Sequence, residues 1–264
     1  TAVVQMPTAP VAAAPAAATA AVAAAARGKS NGKGGDGARA MEARVRVKNG
    51  GKGRQKTQGS PSGNDNNNAE PIAFGYDKLT GNKTAKNILV VANANDAVVT
   101  NDGTLISVSI NSSSSQGPTD DRRIKPDITG NGTNVTSTIS SGDNATGSLS
   151  GTSMSSPNVA GTLLLLQQHF HNITNSYMKA ATLKGLACHT ADDAGNVGPD
   201  ARFGWGLLNA KRAVETINGN GLTSWVSEEN ISQGGSLVMP VIATGTSPLI
   251  ATITWTDVPG EANI

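Results

Sequence analysis

Several residue types on which particular classes of protein depend are scarce in this sequence. Aromatic residues make up 3% of the 264 residues, and Cys188 is the one cysteine. A single cysteine excludes an internal disulfide framework but does not fix the compartment. No apolar run reaches the length of about eighteen residues that a membrane-spanning helix needs. The Ala-rich start has no basic segment ahead of an apolar core, so we expect no signal peptide in it.

Glycine is abundant, with 31 residues, and the composition favours a loop-rich α/β or β protein over a helical bundle. The net charge of +2 hides an uneven distribution. Residues 27–56 contain ten Lys or Arg and two acidic residues, whereas residues 57–264 contain eleven basic and seventeen acidic residues. The larger part of the chain is therefore predicted to be mildly acidic.

The first 56 residues differ in composition from the rest. Residues 1–26 include fourteen alanines, and residues 27–56 are basic and rich in glycine. Neither stretch has enough large apolar residues to build a core, so we predict a low-complexity, disordered segment over 1–56. Two alternatives remain open. The basic run could bind nucleic acid, or residues 1–56 could be non-native sequence from a misread frame or a misplaced start.

From residue 57 onward the pattern is that of a folded protein. The predicted strands ahead of residue 150 are 87–96, 103–110 and 134–139. The predicted helices are 155–170, 174–188 and 207–217. Pro157 is predicted in the first turn of the first helix, where its missing N–H does no harm. After Gly221 the stretches SLVMPVIA and LIATITWTD predict two further strands.

The stretch GTSMSSPNVAG, residues 151–161, holds the strongest candidate for chemistry. Ser153 is predicted to lie just ahead of a helix, whose N-terminus offers unpaired N–H groups and positive potential. An oxyanion forming beside Ser153 could be held by the backbone N–H of this residue, and small neighbours leave room for a substrate carbonyl. The plainer interpretation of an isolated serine at such a place is a helix N-cap.

This stretch resembles the catalytic-serine motif of the subtilisin-like serine proteases, GTSMAxPxVxG, and departs from it by Ser155 in place of alanine. The segment SSQGPTDDRRIKPDITGNG is similar to the family stretch that precedes the nucleophile. In it Gln116 stands where an aromatic residue is common, and Arg122 stands where glycine is common. The segment LKGLACHTADDAGNVGPDARFGWGLLNAKRAV resembles the one that follows the serine helix.

The resemblance implies a three-layer α/β fold with a mostly parallel sheet over residues 57–220, as the C-terminal part of a subtilisin-like peptidase domain. Residues 221–264 would then begin a C-terminal β-sandwich, as in larger members of the family. The implied function is that of a secreted serine endopeptidase that hydrolyses proteins or peptides through an acyl-enzyme. Neither a membrane nor nucleic acid is expected as a partner.

The resemblance also implies roles for single residues. Ser153 is the nucleophile, and Gly151 and Thr152 belong to the substrate-binding site. In the family a Gly-Asn pair ahead of the serine supplies a side-chain amide to the oxyanion hole, and Gly63 and Asn64 match this motif. The alternative for Asn64 is one polar residue in the loop GNDNNN. The segment GRQKTQGSPSG ahead of the pair lacks the apolar pattern of the strand that the family has there.

No cofactor is required by this resemblance. Calcium commonly stabilises proteases of the family, but no ligand set can be assigned here and no metal site is predicted. The acidic residues of the later loops are interpreted as solvated; they include Asp192, Asp193 and Asp200.

The base that should activate the serine is missing from the sequence. The family orders its triad Asp, His, Ser, so the histidine should precede Ser153. The three histidines, His169, His171 and His189, all follow it. A helix rises about 1.5 Å per residue, which would put His169 roughly 24 Å from Ser153, far beyond the ~3 Å of a proton transfer. His169 and His171 are interpreted as ordinary helix-end residues, and His189 beside Cys188 as a packed helix end and not a metal or thiol site.

The aspartate motif of the triad is missing as well, since Asp36 in GGDGARA follows no strand pattern. One hypothesis is therefore a fragment of a secreted endopeptidase that lacks the catalytic Asp and His. A second is a degenerate homologue that binds peptides without cleaving them or has a structural role. The retained Ser153 and Pro157 favour the first hypothesis, and a nucleic-acid binder acting through residues 27–56 is the third.

Overall fold

In this computed structural model the residues described are 2–5, 39–46, 59–62, 78–232, 234–243 and 248–257. The strands in chain order are β1 (Ala2–Gln5), β2 (Arg39–Arg46), β3 (Gly59–Pro61), β4 (Leu89–Ala94), β5 (Val98–Val99), β6 (Leu105–Ser107), β7 (Ile128–Asn131), β8 (Val135–Thr138), β9 (Thr146–Leu149), β10 (Ser224–Ser227), β11 (Ser236–Ala243) and β12 (Ile250–Ile253). The helices are α1 (Thr152–Thr174), α2 (Ala180–Thr190) and α3 (Ala210–Asn218). The fold is mixed α/β.

The chain forms two compact units. The terminal unit comprises Thr1–Gln55, Met178–His189 and Ala213–Ile264, and the serine unit comprises Lys56–Tyr177 and Thr190–Arg212. Ser153 lies in the serine unit. The domain boundaries at residues 56 and 220 stay predictions.

A parallel sheet forms the centre of the serine unit. Strand β4 pairs with β3 on one side and with β7 on the other, and both pairings are parallel. All six residues of β4 are buried, and its first three form a continuous apolar run, which is typical of a parallel strand covered on both faces. The strand predicted at 87–96 is thus confirmed. Helix α1 packs against all three strands, and its buried face carries Val159, Leu163 and Leu166.

A buried ion pair ties the amino ends of β4 and β7 together. Lys125 Nζ lies 2.5 Å from Asp127 Oδ2 and donates to the carbonyl of Ile88 at 2.9 Å. The same Asp127 oxygen accepts a hydrogen bond from the backbone N–H of Val90 at 2.7 Å. Ile88 and Asp127 each directly precede a strand of the sheet, so this cluster fixes the spacing of the two strands at the edge opposite to their carboxyl ends.

Helix α1 begins earlier than the sequence predicted. It runs from Thr152 to Thr174, so Ser153 is its second residue and is not the N-cap, a place taken by Gly151. Pro157 is the sixth residue and therefore lies in the second turn, not the first. Because proline has no N–H, the carbonyl of Ser153 receives no hydrogen bond from residue 157. The first turn is fixed by contacts with the sheet, which a local pattern does not record.

The turn before β7 keeps a conformation suited to glycine although Arg122 occupies it. Arg122 has a φ of 63°, and its N–H donates to the carbonyl of Thr119 at 2.7 Å. Hydrogen bonds from the Arg123 guanidinium and from the Thr119 hydroxyl lower the pKa of Asp121 to about 2. These side-chain bonds hold the turn closed around a left-handed residue that is not glycine.

Arg122→Gly should raise the free energy of unfolding by about 1 kcal/mol, because glycine has no Cβ to oppose a left-handed φ. The Arg122 side chain is exposed, so little packing is lost. Urea unfolding measures the change. Asp120→Gly, at an exposed neighbour whose φ is not positive, is the matched control and should lower stability by about 0.5 kcal/mol. An Arg122→Gly protein no more stable than the parent would contradict the prediction.

The remaining predicted elements of the serine unit are shorter or shifted. The strand predicted at 103–110 is reduced to β6, which pairs antiparallel with β5. The strand predicted at 134–139 is confirmed as β8, and it forms an antiparallel hairpin with β9. The second and third helices, which lie mostly in the terminal unit, start later than predicted, at Ala180 and Ala210.

The terminal unit contains two antiparallel sheets. Strand β1 lies between β10 and β12, and β2 pairs with β11. Composition alone did not predict β1 and β2, which lie within residues 1–56. The strands predicted in SLVMPVIA and LIATITWTD are confirmed as β11 and β12. The β-sandwich itself stays a prediction.

Helix α2 is fixed at both ends within the terminal unit. The carboxylate of Glu228 accepts a hydrogen bond from the backbone N–H of Lys179 at 2.7 Å, one residue before the helix. At the other end His189 is buried, with Nδ1 2.9 Å from Thr252 Oγ1. This contact agrees with the interpretation of His189 as a packed helix-end residue.

Candidate active site

The carboxyl ends of β3, β4 and β7 lie at one edge of the parallel sheet, and α1 begins at that edge. The N–H of Gly151 donates to the carbonyl of Gly132, one residue beyond β7, at 2.8 Å. Gly151 has φ 152° and ψ 166°, a region essentially confined to glycine. In open parallel sheets, ligands bind outside the carboxyl ends of the strands. The start of α1 therefore lies where a site is expected.

Ser153 is presented openly at this helix start. The residue is exposed, and among the described residues neither its hydroxyl nor its backbone N–H has a hydrogen-bond partner. The N–H groups of Met154 and Ser155 bond to the carbonyl of Gly151 at 3.0 and 3.2 Å. The free N–H of Ser153 adds to the positive potential of the helix N-terminus. An anion next to the hydroxyl would thus meet an unpaired donor.

Ser155 anchors the first turn of α1 to the sheet. Its side chain is fully buried, and its Oγ lies 2.6 Å from the carbonyl oxygen of Ala92 in β4 and 2.8 Å from that of Gly130 in β7. The hydroxyl that replaces the family's alanine is therefore satisfied as a donor. Ser155 fixes the helix start across both strands while Ser153 faces outward.

Gly132 allows the loop after β7 to approach the serine turn closely. A Cβ at this position would lie 2.5 Å from the carbonyl oxygen of Gly151, 2.6 Å from the nitrogen of Ser155 and 2.7 Å from Oδ1 of Asn93. Two of these three atoms belong to the backbone of the helix start. A side chain at 132 would therefore have to displace the turn that carries Ser153.

Gly132→Ala should lower the free energy of unfolding by about 1–3 kcal/mol, because the new Cβ overpacks the turn. In a protein with a complete triad it should also lower kcat/KM by about 10²-fold, because Ser153 is displaced. Urea unfolding and peptide hydrolysis measure the two effects. The matched control is Gly161→Ala in α1, where a Cβ would meet nothing within 4 Å. Equal effects of the two alanine substitutions would contradict the role of Gly132.

The loops that follow β4 and β7 are joined by polar side chains. Thr133 Oγ1 donates to the carbonyl of Ala94 at 3.0 Å, and Asn111 Nδ2 donates to Thr133 Oγ1 at 3.0 Å. The N–H of Asn134 donates to Ser150 Oγ at 2.8 Å, which ties this loop to the residue before Gly151. None of these residues was predicted as part of the site. The signal available was their polar character: Asn111 directly follows the strand predicted at 103–110, and Thr133 directly precedes the strand predicted at 134–139.

A strand does lead toward the predicted oxyanion residue, contrary to the expectation from GRQKTQGSPSG. Strand β3 pairs with β4, and the N–H of the buried Ser62 donates to the carbonyl of Val91 at 2.8 Å. Its three residues are paired by backbone hydrogen bonds, which need no apolar pattern. Gly63 and Asn64 follow directly but lie outside the described residues, so the role of Asn64 stays a prediction.

The histidines do not provide a base along α1. His169 and His171 lie in its last turns, and the helical rise puts His169 roughly 24 Å from Ser153. The ring of His171 stacks on Tyr177, with centroids 4.3 Å apart and 5° between the planes. His189 belongs to the terminal unit. Asp36 lies outside the described residues.

The other predicted site residues have structural contacts. Gly151 and Thr152 are buried. The loop carboxylates, interpreted as solvated from sequence, also accept hydrogen bonds within the protein; Asp193 is exposed, and Asp192 and Asp200 are half-buried. Asp200 Oδ1 accepts from the N–H of Phe203 at 2.7 Å, and Asp192 Oδ1 lies 3.1 Å from Arg212. Asp193 accepts a bond from the backbone as well.

Two features are absent from the part of the chain that the structure describes. Within it, no three or more His, Cys, Asp or Glu side chains lie close enough together to hold a metal ion. Within the same residues no helix combines the length and the apolarity needed to span a bilayer.

A model of the subtilase family matches residues 12–206 of this chain. Among curated proteins, the chain is 39% identical over 87 residues to an extracellular serine protease of Serratia marcescens, covering 33% of this chain and 7% of that protein. It is 42% identical over 66 residues to the autotransporter lipoprotein NalP of Neisseria meningitidis, covering 25% of this chain and 6% of NalP. The PII-type proteinase of Lacticaseibacillus paracasei is 34% identical to the chain over 122 residues, which are 40% of this chain and 6% of that proteinase.

The chain thus spans less than a tenth of the length of the curated relatives that it matches. Among solved structures, the CspB protease of Clostridium perfringens superposes with a TM-score of 0.45 and 22% identity, covering 55% of this chain and 30% of that one.

Proposed function

Because the chain belongs to the subtilase family, we propose that it is the nucleophile-bearing part of a serine endopeptidase that hydrolyses peptide bonds through an acyl-enzyme on Ser153. The observation that carries the proposal is the exposed Ser153 hydroxyl beside an unpaired backbone N–H at the start of α1. Protein or peptide substrates follow from this chemistry. Secretion is proposed on the basis of the extracellular relative.

In this mechanism Ser153 Oγ attacks the substrate carbonyl, and the carbonyl oxygen becomes an oxyanion next to the Ser153 N–H. The Asn64 side-chain amide is proposed as the second donor. The buried Gly151 and Thr152 shape the adjacent substrate site through their backbone. Collapse of the tetrahedral intermediate expels the amine, and water then releases the acyl group from Ser153.

The proposal requires a histidine and an aspartate from polypeptide other than these residues, because neither histidine of α1 reaches Ser153. The composition of α1 supports the presence of such polypeptide. The helix has 23 residues with no Asp, Glu, Lys or Arg, and Leu164 and Leu165 on its outer face are 70% and 65% exposed. Exposed leucines next to one another on a helix without charged residues favour a surface that other polypeptide covers.

Calcium has no step in this mechanism. The family resemblance allows a stabilising calcium ion, but the described residues offer no cluster of acidic side chains for one. The proposed fold remains that of a subtilisin-like peptidase domain with helices on both faces of the sheet, followed by a β-sandwich.

The alternative function is a non-catalytic homologue that binds peptides or serves a structural role, and the missing base favours it. Reading the coding DNA upstream of codon 1 in all three forward frames distinguishes the two. A nearby frame that encodes the Asp and His-Gly-Thr-His motifs supports the endopeptidase. If no frame encodes them, Ser153 has no base and the non-catalytic function is the better description.

A further inference from the structure

Asn93, the fifth residue of β4, is fully buried beneath the serine turn, and its backbone is fixed on both sides. Its N–H donates to Ser114 Oγ at 3.0 Å, and its carbonyl accepts from the N–H of Asn111 at 2.8 Å. The neighbouring carbonyl of Ala92 receives the Ser155 hydroxyl. This part of β4 therefore forms a rigid base under the start of α1.

The carboxamide of Asn93 packs against the loop that holds the serine turn. A Cβ added to Gly132 would lie 2.7 Å from Asn93 Oδ1 and 2.5 Å from the carbonyl oxygen of Gly151. Gly132 in turn accepts the hydrogen bond from the Gly151 N–H. Asn93 thus contacts Gly132, which connects the end of β7 to the N-cap Gly151. Gly151 lies two positions before Ser153.

The hydrogen bonds of this side chain do not account for its presence. Among the described residues, Asn93 Oδ1 has one long contact, with Thr133 Oγ1 at 3.4 Å, and the buried Asn93 Nδ2 has no hydrogen-bond partner. A buried donor without an acceptor destabilises a fold, and an apolar side chain of similar shape would avoid that cost. Stability alone would therefore favour another residue at this place.

We infer that Asn93 is a positioning residue for Ser153: the bulk of its carboxamide supports Gly132 and, through it, the Gly151 turn that presents the nucleophile. The inference rests on the proposed function, because the position of the turn matters only if Ser153 reacts. It adds to the motif residues a side chain that lies 60 positions before the serine.

Hydrogen exchange of the full chain tests the inference without requiring catalysis. In Asn93→Ala the amides of Met154 and Ser155, which bond to the Gly151 carbonyl, should exchange about tenfold faster or more, relative to the amides of Leu163 and Leu166 farther along α1. Asn93→Leu, which restores the volume without a polar group, should restore this protection with no loss in the midpoint of urea unfolding.

The matched control is Asn111→Ala, because Asn111 is a partly buried amide whose side chain makes hydrogen bonds in the same loops. It should speed exchange at both ends of α1 alike. Two results would overturn the inference. In Asn93→Ala, the exchange rates of the Met154 and Ser155 amides would rise no more than that of Leu163. In Asn93→Leu, the exchange rates of Met154 and Ser155 would stay as high as in Asn93→Ala. Labelling of Ser153 by a fluorophosphonate in a protein with a complete triad tests the proposed function separately, so the two can fail independently.

Discussion

Lys125→Met should lower the free energy of unfolding by about 3–5 kcal/mol, because it removes the ammonium that faces the buried Asp127 carboxylate. The side chains of Lys125 and Asp127 are 3% and 8% exposed, and their charged atoms are 2.5 Å apart. Asp127 keeps the hydrogen bond from the Val90 N–H, but a neutral donor does not replace an ammonium. Urea unfolding of the full chain measures the loss.

Two further variants separate the ion pair from a general loss of packing. Lys125→Met combined with Asp127→Leu should recover much of the stability, since no buried charge is then left alone. Lys179→Met is the matched control at the exposed pair with Glu228, whose atoms are 3.3 Å apart and whose side chains are 57% and 28% exposed. It should cost less than about 1 kcal/mol. Similar losses at the two lysines would refute the argument.

Ser153→Ala should reduce kcat/KM by about 10⁴–10⁶-fold in a protein extended by the sequence that supplies the histidine and the aspartate. The reason is that the alanine removes the atom that attacks the substrate carbonyl. In the present chain without that sequence, the same substitution should change nothing measurable. Hydrolysis of a fluorogenic peptide by both forms tests the two statements together.

Ser155→Ala is the matched control for the nucleophile. Its hydroxyl faces the carbonyls of Ala92 and Gly130, not the exposed side, so its removal should cost about 1 kcal/mol of stability and less than about tenfold in kcat/KM. Substantial activity in Ser153→Ala, or equal losses at both serines, would exclude Ser153 as the nucleophile.

The sequence predicted best where one contiguous stretch contains the whole signal. The apolar run at Leu89 is short and contains adjacent valines, which favours a buried strand over a helix, and the run after Pro157 predicted most of α1. The first turn of α1 was predicted less well, because Ser155 and Gly151 fix it through bonds to β4 and to the loop after β7. A short strand such as β3 was also missed, since backbone pairing with β4 holds it without an apolar pattern.

The same distinction applies to the site. The sequence by itself determined which serine is the candidate nucleophile, because Ser153 and its small neighbours form one uninterrupted motif, and it places all three histidines of these 264 residues after that serine. The tertiary structure decided what supports Ser153. Asn93, Gly132 and Gly151 are dozens of residues apart or separated by a hairpin, and they meet because parallel strands bring their carboxyl ends to one edge. Contacts between distant residues depend on strand order and register, which no local pattern of residues encodes.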